Sequence, residues 1–265
     1  MLRTAIDYGR LVGAYTRANL NAQLEYRGAF ISEALAMFIN DGSWVAFWIL
    51  FFQRFRVLNG WTLTDVLTVW AITTAGFGIA HALMGNAWHL ASVVVNGQLD
   101  LWMLYPRAVL SHLILGRTIA TAWGDAAFGY VIYVALVRPD AAHFTLFVIL
   151  SLSVAIVFVG FSVVSGSLAF FIGNAITLSE QWRFALITFS TYPENLFTGL
   201  TRILLFTAIP AAFVSYLPVE ALRTLSLRAV VFSLLGSLTV AAAGAALFYL
   251  GLRRYESGNL LSMNG

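Results

Sequence analysis

Long apolar stretches without charge dominate the chain. Residues 66–99, 141–179 and 229–252 contain no Asp, Glu, Lys or Arg and consist mostly of Leu, Val, Ala, Phe and Ile. A run of about 20 apolar residues is the length at which an α-helix crosses a bilayer. A soluble helix needs a polar face, and none of these stretches has one at the helical period. The pattern therefore predicts an all-α, polytopic membrane protein.

Shorter apolar segments bring the predicted number of transmembrane helices to about six, each of roughly 20 residues. Prolines interrupt the apolar segment from Trp182 to Pro218, which predicts a fifth span followed by short helices that re-enter the membrane without crossing it. The turn at Arg138-Pro139-Asp140 separates the third and fourth spans. The other five spans are predicted at about 28–52, 66–84, 108–137, 144–173 and 229–252, with a connector at 180–183.

The first 27 residues predict a separate amphipathic helix at the membrane surface. At about 100° per residue, six of its charged and amide side chains fall in one narrow stripe, and aromatic and aliphatic residues flank it and lie on the far side. Such a helix suits the bilayer interface; a frayed cytoplasmic tail is the alternative. The predicted organisation is an interface helix at 1–27 and one transmembrane domain at 28–265. The stripe contains Arg3, Asp7, Arg10, Arg17, Asn21 and Glu25.

Composition agrees with this class and excludes several functions. Apolar residues make up 60% of the chain and charged residues 10%, against about 45–50% and 25% in soluble domains. The absence of Cys excludes disulfides and thiolate chemistry. No G-x-x-x-x-G-K-[ST] or H-E-x-x-H motif is present, so neither P-loop ATP hydrolysis nor a zinc protease is expected. The net charge of +3 does not indicate nucleic-acid binding, because the Arg residues lie at the ends of spans.

The distribution of Arg predicts the orientation. Cytoplasmic loops of membrane proteins carry the excess of basic residues. With six spans and a cytoplasmic N-terminus, more Arg residues lie inside than outside, and both termini are cytoplasmic. The predicted cytoplasmic residues are Arg3, Arg10, Arg17, Arg27, Arg107, Arg183, Arg253 and Arg254.

Four charged residues near or within predicted spans are candidates for function. Glu33 and Asp41 are two helical turns apart in the first span, so they can face the same side. Asp125 lies in the third span, beyond Arg117. Acids inside a membrane are costly and are usually functional or paired. Two readings stay open: Asp125 is a structural partner, linked to Arg117 through neighbouring groups, or the three acids form a proton relay in a secondary transporter.

Two sequence segments are more specific. The first is NGQLDLWMLYP at residues 96–106, and the second is YPENLF at 192–197, followed by Ile209-Pro210 and SYLP at 215–218. In order and spacing they resemble the membrane subunit of a type 2 ABC exporter, in the small six-span group similar to antibiotic-export permeases. The resemblance covers nearly the whole chain.

By this resemblance, residues 85–107 form a cytoplasmic coupling loop whose short helix fits a groove of a separate ATPase. The residue types agree with a short separate helix. Gly97 can end the preceding helix, Asp100 can cap the short helix, and Pro106 can begin the next element. Leucines three apart present an apolar ridge to a partner. An amphipathic loop helix on lipid headgroups is the alternative. The implied ATPase-coupling residues are Gly97, Leu99, Asp100, Leu101, Leu104 and Pro106.

The same resemblance implies that residues 193–228 form an extracellular re-entrant hairpin that closes the outer mouth of the path. It also implies an ABC ATPase dimer that holds ATP and Mg, a second permease subunit (identical or related), and a bacterial cytoplasmic (inner) membrane location among lipids. No catalytic residue, metal or cofactor is expected in this chain, and the transported substrate is not indicated. The implied gate residues are Tyr192, Pro193, Pro210, Tyr216 and Pro218.

Overall fold

The computed structural model of the protein describes residues 2–58, 60–105 and 108–255. Helices make up 83% of the structure. In the described ranges, extended pairing is limited to one antiparallel bridge between Leu58 and Trp61. The predicted all-α class is therefore confirmed.

Thirteen α-helices and four short 3₁₀ or π-helical turns make up the described part of the chain. The turns are Gly85–His89, Tyr133–Val137, Glu194–Leu196 and Ala212–Tyr216. The helices are α1 (Leu2–Leu24), α2 (Arg27–Arg54), α3 (Leu63–Met84), α4 (Leu90–Val95), α5 (Leu99–Met103), α6 (Val109–Leu115), α7 (Ala122–Ile132), α8 (Ala141–Ser167), α9 (Ala169–Ile172), α10 (Ile176–Ser190), α11 (Gly199–Phe206), α12 (Leu217–Thr224) and α13 (Leu227–Leu252).

Within the described residues, four helical segments are long and apolar enough to cross a membrane. They are Arg27–Arg54, Leu63–Val95, Ala141–Ile172 and Leu227–Leu252. They correspond to the predicted first, second, fourth and sixth spans. The segment Ala122–Val137, which joins α7 to its π turn, is apolar but shorter.

Three of these segments begin with a side-chain cap that satisfies free backbone amides. At the start of α3, the Thr62 side chain accepts from the Asp65 amide, and the Asp65 carboxylate accepts from the Thr62 amide at 2.8 Å. Asp140 caps α8 by accepting from the His143 amide, and Ser226 caps α13. Polar residues at the edges of the charge-free stretches therefore define where these helices start.

Two predicted boundaries are wrong. The third span, expected as one helix over 108–137, is interrupted: α6 ends at Leu115, residues 116–121 are irregular, and α7 begins at Ala122. The connector expected at 180–183 lies inside α10 instead. The chain turns earlier, at Gly173, whose φ of +73° is a conformation that side chains with a Cβ rarely adopt.

The helices α3 and α8 form the centre of the bundle. The α7 helix packs against α3 and the α13 helix against α8, while α2 packs on the outer side of α7. Glycines allow the close approaches: a Cβ at Gly129 of α7 would lie 2.5 Å from the Ala75 backbone nitrogen, and one at Gly244 of α13 would lie 2.6 Å from the Gly160 oxygen. Small residues commonly bring membrane helices together in this way.

The outer faces of α2 and α13 remain exposed and apolar. Surfaces of this kind suit lipid or another membrane subunit. Their large exposed side chains include Ile31, Leu35, Ile39, Phe47, Leu50, Leu227, Leu235, Leu238 and Leu250.

Candidate functional site

A short helix, α5, stands at the edge of the bundle between α4 and α6. The α4 helix ends in a Schellman motif, in which the amide of Gln98 donates to the Val93 oxygen at 3.0 Å and that of Gly97 to the Val94 oxygen at 3.2 Å. Gly97 has a φ of +69°, so a residue with a Cβ would be strained there. Gly97 thus turns the chain into α5.

The α5 segment has a buried side and an exposed side. Leu99 is fully buried in a cluster with Leu90 and Leu113, so it anchors the helix and is not free to contact a partner. On the other side, Leu101 and Leu104 are 65% and 82% exposed. We call these two leucines the α5 ridge. Pro106 and Arg107 lie outside the described residues.

Asp100 does not cap α5, and its predicted capping role is wrong. The residue before the helix is Gln98, and no side chain caps the helix there. The Asp100 carboxyl instead interacts with the hydroxyl of Tyr255, just beyond α13; burial and this neighbour raise the pKa of Tyr255 to about 12. Asp100 therefore links the loop to the C-terminal end of the bundle.

An aromatic chain connects α5 to α6. Trp102 stacks on Tyr105 with ring centroids 5.9 Å apart, and Tyr105 stacks on His112 at 4.8 Å. The Trp102 ring also covers Gly116, where an added Cβ would meet it at an impossible distance. The position of α5 is thus set by ring packing as well as by Leu99.

The N-terminal helix α1 docks on the break between α6 and α7. Asn19 donates to the Leu115 oxygen at 3.0 Å, and Gln23 donates to the Thr118 oxygen at 2.9 Å. The interrupted helix leaves these carbonyls without helical partners, and backbone carbonyls away from water need hydrogen bonds. The side chains of Arg3 and Asp7, part of the predicted stripe, lie outside the described residues.

Sequence reasoning did not single out Asn19 and Gln23. Their spacing of four residues places both on one helical face. This spacing is the sequence feature from which their docking role could have been predicted. The contacts show α1 as a docked helix; its place at the membrane surface stays a prediction.

A cavity of about 530 Å³ lies between α2, α3, α7 and α10. Most of its wall is aromatic and aliphatic, and its polar groups come from different helices. Trp44 of α2 stacks on Trp70 of α3, with centroids 5.9 Å apart and an interplanar angle of 21°. The wall includes Asn40, Asp41, Trp44, Trp70, Asp125 and Tyr192.

The structure brings together two of the four predicted charged residues. Asp41 of α2 and Asp125 of α7 both line the cavity, and both side chains are buried. Glu33 and Arg117 are exposed and are not part of the cavity wall. The acid that shares the cavity wall with Asp125 is Asp41, and the expected link between Asp125 and Arg117 through neighbouring groups stays a prediction.

The predicted gate residues lie beside the C-terminal end of α10 and in the segment that follows. Tyr192 lines the cavity and packs edge-on against Trp48 at 6.2 Å. The Tyr216 hydroxyl donates to the Phe189 oxygen at 2.8 Å. Pro193, Pro210 and Pro218 are buried.

Short helices form the segment between α10 and α13, as its prolines predict. The α11 helix ends before Pro210, the π turn follows, and Pro218 lies in the first turn of α12, where proline is tolerated. Ion pairs hold this segment: Arg202 lies 3.7 Å from Glu194, and Arg223 lies 3.1 Å from Asp65 of α3. An extracellular, re-entrant position for it stays a prediction.

Comparison with known families connects these features. Residues 38–258 match the family described as ABC-2 family transporter protein. The chain belongs to this family. The match confirms the resemblance to type 2 ABC permeases and includes α5, the segment after α10 and every cavity-lining residue except Met37, while α1 and Glu33 precede it. No curated protein and no solved structure matches the chain.

As a member of the ABC-2 family, the protein is a multi-pass membrane permease. Its described residues contain no group of three His, Asp or Glu side chains suited to a metal ion. The two surfaces that stand out are the α5 ridge, which is exposed and apolar, and the cavity wall, which holds a buried acid pair.

Proposed function

We propose that the chain is the permease subunit of an ABC exporter, which forms the translocation path with a second permease copy or relative and is driven by a separate ATPase dimer. The ABC-2 family match supports a permease. The α5 ridge carries the coupling part of the proposal, because it is an exposed apolar surface on a helix that is firmly attached to the bundle.

The attachment of α5 suits the transmission of movement. Leu99 is fully buried, and Trp102 packs on Gly116 at the end of α6. A force applied to Leu101 and Leu104 would therefore move α6 and the break before α7. A helix with an apolar face fits a hydrophobic groove on a partner. ATP binding would then favour one of two packings of the permease, through their different affinity for the closed ATPase dimer.

The proposed topology has six crossings, with both termini cytoplasmic in a bacterial inner membrane. Four crossings are the long apolar helices. Ala122–Val137 and α10 (Ile176–Ser190) supply the other two, although each is about 22–24 Å long at 1.5 Å per residue. A bilayer core is about 30 Å thick, so α6 and the segment after α10 would complete the two crossings.

Co-purification of the host cell's ABC ATPases with the tagged permease tests this proposal. Changing Leu101 and Leu104 together to Asp should reduce the bound ATPase at least about ten-fold, because two charges would replace the apolar contact. The matched control changes Asn96 and Gln98 to Asp, which adds the same charge to exposed positions in the same loop. Membrane insertion of both variants should match the wild type.

Loss of ATPase from the ridge variant alone supports coupling through α5. Full retention of ATPase by the ridge variant would reject the coupling assignment, and equal loss from both variants would show a general charge effect instead.

A further inference from the structure

The cavity between α2, α3, α7 and α10 has the size of a small-molecule site. Its volume of about 530 Å³ lies within the range of about 300–1,000 Å³ that is typical of ligand pockets. Such pockets are mostly apolar and carry a few polar groups that select the ligand. The polar groups in this wall therefore indicate which ligand it accepts.

The acid pair places negative charge in the wall. Asp41 is only 5% and Asp125 only 2% exposed, and both line the cavity. Two buried carboxyl groups in one wall repel each other when both are ionised, so ionisation of one disfavours ionisation of the other and the pair carries one negative charge. Asp41 Oδ2 and Asp125 Oδ2 have no hydrogen-bond partner among the described residues. The Asn40 amide reaches Asp41 Oδ1 at 3.5 Å.

No cation of the described chain compensates this charge within the cavity wall. The buried cation Arg183 packs over the ring of Trp88 at 4.5 Å and donates a hydrogen bond to Ser179. Arg183 therefore has its own partners and occupies one face of Trp88. A buried charge without a counter-charge is costly, and a bound cation would remove that cost.

The tryptophans beside the acids favour the same kind of ligand. Trp44 stacks on Trp70 and is still 44% exposed. The face of a tryptophan ring attracts cations, most strongly where water is excluded.

We propose that this cavity binds a monovalent lipophilic organic cation, with its charged group beside Asp41 and Asp125 and its apolar body against Trp44 and Trp70. A metal ion fits less well, because no third acidic or imidazole side chain joins the pair in the described residues. That the cation is the exported cargo rests on the proposed permease function. The binding itself does not depend on an ATPase.

Equilibrium dialysis of the purified permease in detergent, against empty micelles, measures this binding directly. The probe is tetraphenylphosphonium, and tetraphenylborate is the matched ion of similar shape and opposite charge. The wild-type protein should bind the cation at least about ten-fold more tightly than the anion, because the wall holds one uncompensated negative charge.

Variants then locate the site. Changing Asp41 and Asp125 together to Asn removes the charge and should weaken cation binding at least about ten-fold. Changing Asp125 alone to Asn keeps the single negative charge on Asp41, so cation binding should stay close to that of the wild type. Glu33→Gln is the matched control, because it removes an exposed acid from α2 outside the cavity, and binding should not change.

Trp44→Leu provides a second test if the double Asn variant does not fold. Trp44 is partly exposed, so its loss should be tolerated, and cation binding should weaken about three- to ten-fold through loss of the ring face.

Equal affinity for the two ions, or unchanged cation binding by the double Asn variant and by Trp44→Leu, would overturn the proposal. The assay contains no ATPase, so its failure would leave coupling through α5 intact. Failure of ATPase co-purification would equally leave cation binding intact.

Discussion

The hydroxyl of Tyr15 lies 2.8 Å from Nδ1 of His112, although 97 positions separate the two residues in the chain. The same His112 ring stacks on Tyr105, directly after α5. The N-terminal helix and the α5 loop therefore meet at one side chain of α6. Under the proposed function, movement of α5 would also be felt by α1.

Docking of α1 can be tested with a pair of matched amide substitutions. Asn19→Ala removes the donor to the Leu115 oxygen, and a partly buried carbonyl without a partner costs about 1–3 kcal/mol. We expect faster amide exchange throughout α1 and a lower unfolding temperature in detergent. Asn21→Ala, at an exposed position on the same helix, should change neither. Equal effects of the two changes would contradict specific docking.

The contact between Trp102 and Gly116 predicts a steric effect. Gly116→Ala places a methyl group inside the space of the Trp102 ring, so either the ring or α6 must shift, at about 1–3 kcal/mol. We expect a lower unfolding temperature and weaker ATPase co-purification. Gly28→Ala is the matched control, because nothing lies within 4 Å of a Cβ there. Unchanged stability of Gly116→Ala would show that Trp102 does not hold α5 in place.

Substitution of Asp125 distinguishes ATP-driven export from proton-coupled transport. If export is driven by ATP, Asp125→Asn should retain substantial export with at most a modest loss of stability, because Asn keeps the size and much of the hydrogen-bonding capacity of Asp. Inactivating hydrolysis by the partner ATPase should abolish export completely. Transport assays in membrane vesicles with ATP or with a proton gradient measure both.

The opposite pattern would favour the secondary transporter. A relay acid must change its charge in every cycle, so Asp125→Asn would then be inactive although folded. Transport would also continue without any ATPase.

Topology is tested with two reporter fusions. A reporter after Pro139, in the turn before α8, should be active only outside. One after Gly265, which lies outside the described residues, should be active only in the cytoplasm. A cytoplasmic signal at Pro139 would contradict the six-span arrangement.

Local sequence pattern predicted the long helices. Charge-free stretches correspond to α3, α8 and α13 because every segment that crosses a bilayer must meet the same apolar requirement along its own length. The turn at Gly97 was also predictable, since its left-handed conformation favours glycine wherever it occurs.

Pairings between distant segments were decided by the tertiary structure. No local sequence pattern indicated that Asp125 and Asp41 line the same cavity, because their proximity depends on how closely α7 and α2 pack. That closeness follows from Gly124, where an added Cβ would collide with the Ala34 oxygen of α2. Similarly, Glu180 and Arg183 marked a loop by their charge alone, but α10 continues through them because Trp88 and Ser179 hold Arg183 inside the bundle.

In the interrupted third span, the sequence determines the membrane placement and the tertiary structure determines the break. Its apolar composition fits a continuous helix, and composition determines that it belongs in the membrane. Whether the helix can open at residues 116–121 depends on partners for the released carbonyls, and Asn19 and Gln23 of α1 supply them. Membrane placement is a property of each segment, whereas a break needs hydrogen-bond donors that only the folded chain brings into reach.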